Sequence, residues 1–319
     1  MSHPTVLSIL FPGQGSQEPG MGRDAAEADS DVMNLWKKAE AISGADLRGI
    51  YWDGEEAEMA NTRYLQPALT VVNLGLWMRL AGKVAPACTS GHSLGEFSAL
   101  AAAGALSPNE VLETVSLRGR LMAEADPQGT GAMAAVLKLQ LADVETVVRE
   151  SEQAVGEMIR VANYNTPGQF VLSGTRAAIA DASERVKALK GRALPLAVSG
   201  AFHSPLMAEA AKELAKHLAS VQWNKPKFPV FCNVHGKAVT DAASLRDIMP
   251  QQMTSSVQWI DTIRNQHAAG VRSWMEVGPK GVLGKMLGQI LAPVADPSEW
   301  TGTSVGNLAA AEACLTAQA

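Results

Sequence analysis

Six residues, Gly91-His92-Ser93-Leu94-Gly95-Glu96, restrict the fold of this 319-residue chain more than any other stretch. They follow a segment of small and apolar residues, Val84 to Ser90, and run straight into Phe97-Ser98-Ala99-Leu100-Ala101-Ala102-Ala103, which reads as a helix. A G-x-S-x-G pattern in that setting is expected where a strand turns sharply into a helix and holds a serine at the apex. The glycines matter because a side chain at either position would crowd so tight a turn. A serine there sits beside backbone N–H groups and the positive end of a helix dipole. Those features stabilise the oxygen of an attacked carbonyl as it becomes negative. The pattern alone is equally consistent with a glycine-rich turn carrying an incidental serine, so the rest of the chain has to decide.

A chain of this length predicts one large domain, or a main domain carrying an inserted module. Apolar residues make up 47% and charged residues 18%, a balance suited to a soluble globular protein with a sizeable core. The formal net charge of −5 gives no basic footprint, so neither nucleic acid nor an anionic membrane surface is an expected partner. Cys88, Cys232 and Cys314 are far apart and have no C-x-x-C spacing, which argues against both a disulfide framework and a zinc site. Cys88 and Cys232 lie in apolar company and read as small core residues. Met1-Ser2-His3-Pro4 carries no basic n-region or long apolar h-region, and no apolar run approaches the ~20 residues that span a bilayer. A reduced, cytoplasmic protein is expected.

Thr5 to Phe11 is a short apolar run stopped by Pro12-Gly13-Gln14-Gly15, which favours a buried strand ending in a backbone loop. That loop lacks the glycine spacing of a dinucleotide fingerprint and the Lys-Ser/Thr of a P-loop. It stands instead where a parallel sheet places its ligands. Helices are expected over Ala25 to Ile42, Thr62 to Leu80 and Pro108 to Glu124, the last opened by Ser107 as N-cap with Glu110 three residues on. A breaker-rich linker, Asp126 to Gly131, then leads into a strand over Ala132–Leu139, a helix over Leu141–Gln153 and a strand over Met158–Ala162. A turn at Asn165-Thr166-Pro167-Gly168 precedes a strand over Gln169–Gly174, a helix over Ala177–Leu189 and a strand over Arg192–Val198. That order is the split βαβ, ferredoxin-like module, and it reads as an insertion into an α/β chain. The main chain resumes at Ser199, with a helix to about Ser220, strands over Phe228–Asn233 and Trp274–Val277, and a helix over Val257–Ala269. Residues from Pro293 onward read as peripheral or frayed.

A serine nucleophile needs a base to take its proton. Of the six histidines, His3 is terminal, while His217, His235 and His267 have the neighbours of solvated residues. His92 adjoins Ser93, and neighbours on a sharp turn point apart. His203 remains: it follows a strand and opens a helix, the same kind of junction as Ser93. No acid completes a Ser-His-Asp set, since Asp241, Asp247, Asp261 and Glu276 all read as turn, cap or surface residues. A carbonyl oxygen can orient a histidine instead, and the spacing leaves that open. Arg118 reads first as a solvated helix arginine, although a guanidinium can also grip a carboxylate bidentately. Glu96, in the first turn of its helix, complements the dipole, and that role suffices for it.

Several ordered segments resemble one family. Phe11-Pro12-Gly13-Gln14-Gly15-Ser16-Gln17, the Gly91–Glu96 turn, Arg118-Gly119-Arg120-Leu121-Met122 and Ala201-Phe202-His203-Ser204 occur in the order seen in malonyl-CoA:acyl carrier protein transacylases. Asn163 to Gln169, Gln252-Met253 through Val257-Gln258-Trp259, and Glu276-Val277-Gly278-Pro279 are also similar. The likeness runs from about residue 5 to 291. It implies an α/β hydrolase-like parallel-sheet domain made of residues 1–128 and 199–319, interrupted by a ferredoxin-like (βαββαβ) subdomain over 129–198 that forms one wall of a cleft. Ser93 would carry the acyl group as an ester, and His203 would be its general base and later acid. Backbone N–H groups of Gln14 and Leu94 would form the oxyanion hole, and Arg118 would hold the malonyl carboxylate. Gln252 would orient His203 through its backbone carbonyl, which accounts for the missing acid. With Asn165 and Arg118 it makes up the substrate side of the site. The resemblance further implies an acyl carrier protein and a coenzyme A thioester as partners, no cofactor or metal, and a monomer. Ala201-Phe202 before His203 is similar to the variant linked with malonyl rather than branched acyl units. A serine esterase of the α/β type would use the same Ser93 and His203 but would want a clear acid and no buried arginine. A scaffold protein with a dead site would have no use for the three residues together. Within the transferases, polyketide and malonate decarboxylase systems stay open beside fatty acid biosynthesis.

Overall fold

The computed structural model describes residues 6–316, so the Met1 to Pro4 opening, His3 included, and Thr5 of the expected first strand lie outside the described residues. The first strand, β1 (Leu7–Phe11), buries Ile9, Leu10 and Phe11 completely. Such a run with no polar alternation is what a strand covered on both faces requires. It lies between β2 (Pro86–Gly91) and β9 (Ser273–Val277), parallel to both. β10 (Thr301–Val305) extends the sheet beyond β9, and the hairpin β7 (Val230–Cys232) and β8 (Lys237–Val239) extends it beyond β2. The order is β10-β9-β1-β2-β7-β8, with only the last pair antiparallel. The ends of β1 and β2 therefore stand side by side, and the loops that follow them meet.

The remaining strands form a separate antiparallel sheet: β3 (Gly131–Leu137), β4 (Ile159–Thr166), β5 (Gln169–Thr175) and β6 (Arg192–Pro195), in the order β4-β5-β3-β6. With helices Leu141–Val155 and Arg176–Ala188 between the strands, this is the ferredoxin-like arrangement. Side chains alternate across β3. Ala134 and Val136 join Val147, Phe170 and Val186 in a core of the module's own, whereas Met133 and Ala135 belong to the core of the main part. The small sheet thus presents one face to the large one. Arg160 fastens the two: its guanidinium donates to the Thr254 carbonyl (3.0 Å) and to Ser256 Oγ (2.7 Å). Val257 N donates to the Ala162 carbonyl (2.8 Å) alongside. The fold is α/β, a hydrolase-like parallel-sheet core with this subdomain inserted.

The structure departs from the sequence reading at several boundaries. The helix expected over Ala25 to Ile42 is two, Arg23–Ala28 and Ser30–Ser43. Asp29 is extended between them and caps the second by accepting from Asp31 N, an arrangement an aspartate favours over the helix interior. β4 runs on to Thr166, so Asn165 is a strand residue. Register shifts in its pairing with β5 obscured the alternation. β6 ends at Pro195, short of the expected Val198, with one further bond from Leu196 N to the Met133 carbonyl (3.0 Å). Residues 293–316 are peripheral, as expected, but not frayed: β10 pairs with β9, and helix Leu308–Thr316 packs beyond it. By contrast, Thr62–Leu80 and Pro108–Glu124 form where expected, and Ser107 and Glu110 make the reciprocal capping bonds.

Candidate active site

At the end of β2 the chain reverses through Ser93, whose φ is 50°. A non-glycine residue in the left-handed region is strained, and such strain persists only where the surroundings enforce it. Here they do. A Cβ on Gly95 would strike the Phe11 carbonyl oxygen, and one on Gly91 would strike the backbone of Gly95. The Ser93 peptide is held on both sides. Its N–H donates to Asn233 Oδ1 (2.7 Å), and its carbonyl accepts from Gln252 Nε2 (2.8 Å). Asn233 Nδ2 in turn donates to the Gly91 carbonyl (2.7 Å).

Ser93 Oγ lies 2.8 Å from His203 Nε2. His203 also has a positive φ, 57°. Its Nδ1 faces two acceptors, the carbonyls of Gln252 (3.0 Å) and Ser255 (3.2 Å). Two carbonyls place the ring proton on Nδ1 and leave the Nε2 lone pair for the serine hydroxyl. Burial, seconded by the positive charge of Arg118, pushes the imidazole pKa down to about 3, so the ring is neutral throughout the physiological range. None of Asp241, Asp247, Asp261 or Glu276 bonds to this ring. Asp241 caps helix Ala242–Ile248, and Glu276 accepts from Gly284 N.

Arg118 is 1% exposed, which overturns its reading as a solvated helix residue. Helix Thr62–Leu80 covers it, and the close approach depends on Gly119, where a Cβ would sit 3.0 Å from the Thr62 and Arg63 carbonyl oxygens. One guanidinium nitrogen, Nη1, donates to Gln66 Oε1 (2.8 Å) and the other, Nη2, to Ser93 Oγ (3.2 Å). Nε has no partner among the described residues, and the group lies 5.6 Å from the centroid of the Phe97 ring. Burial lowers its pKa to about 10 against the pull of Glu96, so it stays cationic. Glu96 is itself fully buried, and the dipole role assigned to it does not describe its surroundings. Its two oxygens accept from Asn233 N (3.0 Å) and Gln252 Nε2 (2.8 Å).

A cavity of about 230 Å³ opens between the Pro12–Ser16 loop, the serine turn and the small sheet, and Gln14, Ser93, Arg118, Met133, Asn165 and His203 line it. The backbone N–H groups of Gln14 and Leu94 make no hydrogen bond among the described residues, while the Gln14 side chain bonds Thr62 Oγ1 (3.1 Å). The loop packs so closely that a Cβ on Gly13 would strike the His92 carbonyl oxygen. Gln252 is not part of the cavity lining. His92 turns away from Ser93, with Nε2 2.8 Å from Asn165 Oδ1. His217 bonds Thr114 Oγ1 and His267 stacks on Trp274, so both are half-buried rather than solvated. Sequence reasoning missed Asn233, Gln66 and the Ser255 carbonyl. Only Asn233 carried a signal, a polar residue at the end of a buried strand. Among the described residues no cluster of His, Cys, Asp and Glu could hold a metal, and no helix is long and apolar enough to cross a membrane.

A hydrolase-like sheet bringing a serine, a neutral histidine and a buried guanidinium to one cavity defines an acyl-transfer class of protein. The model of the acyl transferase domain family matches residues 9–303. The chain is 40% identical, over 88% of its own length and 91% of the other, to the malonyl CoA-acyl carrier protein transacylase of Escherichia coli K12. Among solved structures it superposes with a TM-score of 0.88 on an acyl carrier protein S-malonyltransferase from Vibrio cholerae, at 36% identity and with 97% and 99% of the two chains covered. A malonyl-transacylase solved in complex with a type II PKS acyl-carrier protein gives 0.90 at 34% identity, covering 98% and 100%. The chain belongs to the acyl transferase domain family.

Proposed function

We propose that the protein moves a malonyl group from malonyl-CoA to the phosphopantetheine thiol of an acyl carrier protein, through a malonyl ester on Ser93, in fatty acid biosynthesis. One observation carries the reading: a single hydroxyl oxygen sits 2.8 Å from a neutral histidine and 3.2 Å from a buried, cationic arginine. In the first step Ser93 Oγ bonds to the thioester carbon as its proton passes to His203 Nε2. The C–S bond breaks, and the coenzyme A sulfur leaves with that proton. In the second, the carrier thiol yields its proton to Nε2 and attacks the ester carbon, and Ser93 recovers its hydrogen. The free N–H groups of Gln14 and Leu94 would meet the oxyanion in both steps. The steps balance without a metal or other cofactor, and every group named lies in one chain, which suits a monomer. Residues 1–128 and 199–319 make the catalytic domain in this reading, with 129–198 as the cleft wall that carries Asn165. A cytoplasmic location follows from the two partners.

Arg118 accounts for the choice of acyl group. A malonyl carboxylate would satisfy the guanidinium, whereas acetyl would leave a buried cation unpaired. The same carboxylate would cancel the charge that opposes protonation of His203, so the acidic acyl group would also ease proton transfer. The test is incubation with malonyl-CoA followed by intact-mass measurement. A malonyl adduct that is absent in Ser93→Ala and discharged by carrier protein is expected. Rapid discharge by water alone would instead select an esterase.

A further inference from the structure

We propose that Glu96 is a positioning residue: its one carboxylate holds both the strained Ser93 turn and the His203 ring in reacting register. The proposal rests on the reading of Ser93 as the acylated residue. Glu96 forms no ion pair within 4 Å among the described residues, and it lies in a region where an apolar side chain would cost less. What it does have is two oxygens, each accepting one N–H, as an ionised carboxylate does. The first donor is Asn233 N (3.0 Å), and Asn233 then fixes the Ser93 N–H and the Gly91 carbonyl through its side chain (2.7 Å each). The second is Gln252 Nε2 (2.8 Å), which also donates to the Ser93 carbonyl (2.8 Å). The Gln252 backbone carbonyl holds His203 Nδ1 (3.0 Å).

Both residues that brace the reacting pair are therefore themselves braced by Glu96. Gln252 Oε1 has no hydrogen-bond partner among the described residues, so the orientation of that amide depends on the acceptors facing its nitrogen. Ser93 and His203 occupy positive φ, at 50° and 57°, and conformations of that kind relax when their surroundings loosen. A shift of about 1 Å at a reacting group costs on the order of 10²-fold in rate.

Glu96→Gln keeps the shape but offers one acceptor and turns an NH₂ group toward a donor. Glu96→Asp keeps the charge but is one methylene too short to reach both partners. Neither adds volume. Rapid-quench acylation by malonyl-CoA gives a burst amplitude, which counts competent sites, and a rate constant for those sites. Both variants are expected to lose on the order of 10²-fold in the rate constant, with apparent malonyl-CoA affinity within about threefold of wild type because Glu96 makes no contact with Arg118 within hydrogen-bond reach and does not line the cavity. A wild-type rate constant per competent site in either variant, at whatever amplitude, overturns the proposal, since a merely structural role lowers the amplitude alone. Absence of a burst in the wild-type protein would instead overturn the reading of Ser93.

Discussion

Glu96 accepts its two N–H groups as a carboxylate only above its pKa, and burial makes that ionised form costly to the whole protein. Burial raises its pKa to about 7, against the opposing hydrogen bonds of Gln252 and Asn233 and the charge of Arg118. In the unfolded chain a glutamate titrates near 4.3. The folded state therefore binds the extra proton between those values. The stabilisation is complete below the unfolded pKa and is lost as pH rises through about 7. Relative to Glu96→Gln, wild type is expected to lose on the order of 3 kcal/mol between pH 4 and pH 8, read by urea unfolding of the two proteins. A constant difference across that range would contradict the shift. At Arg118 the expectation is kinetic. Arg118→Ala should cut the preference for malonyl-CoA over acetyl-CoA by about 10- to 100-fold, the worth of a buried charge-assisted bond, in a competition assay. Ser93 and His203 were legible as junctions of strand and helix, whereas Arg118 read as a solvated helix residue and took on a role only through the family resemblance. Glu96, Asn233 and Gln66 were not legible: Glu96 and Asn233 are 137 residues apart, and nothing in either neighbourhood announces the other.

Among the elements, the loop after β1 and the turn after β2 act as one unit, since neither tolerates a side chain where they touch. Gly95→Ala would push a methyl group into the Phe11 carbonyl. Backbone cannot yield as a side chain can, so a loss of about 3 kcal/mol is expected, visible as a lower Tm together with lost acylation. β10 invites a second test. It covers the edge of β9, and ending the chain after Ala295 would leave that edge open. An uncovered edge of a buried strand promotes association, so the truncated protein is expected to aggregate in size-exclusion chromatography. Buried elements such as β1 declared themselves through unbroken apolar runs. The sequence Thr301-Gly302-Thr303-Ser304-Val305 had no such mark, because all but Val305 is exposed and its place comes from pairing alone.

At the scale of the whole molecule, two sheets with separate cores enclose one cleft, and the segment from Gln252 to Val257 serves both. Its carbonyls at Gln252 and Ser255 hold His203, while Thr254, Ser256 and Val257 receive Arg160 and β4 of the inserted module. Loosening the module should admit water without removing any reacting group. Arg160→Ala is expected to shorten the lifetime of the malonyl ester several-fold in the absence of carrier protein, followed by mass spectrometry, and an unchanged lifetime would deny the module that role. The same segment has a thermodynamic meaning. His203 leans on two neutral carbonyls, so no negative partner stabilises the imidazolium once it forms. A proton taken up there is handed on at once, and the departing and arriving thiols, both at the end of the same kind of pantetheine arm, stand in the same relation to it in either direction. On the proposed chemistry the site favours neither thioester. It behaves as a two-way valve, and the direction of malonyl flow is set by the relative amounts of the two thioesters and the two thiols outside the protein.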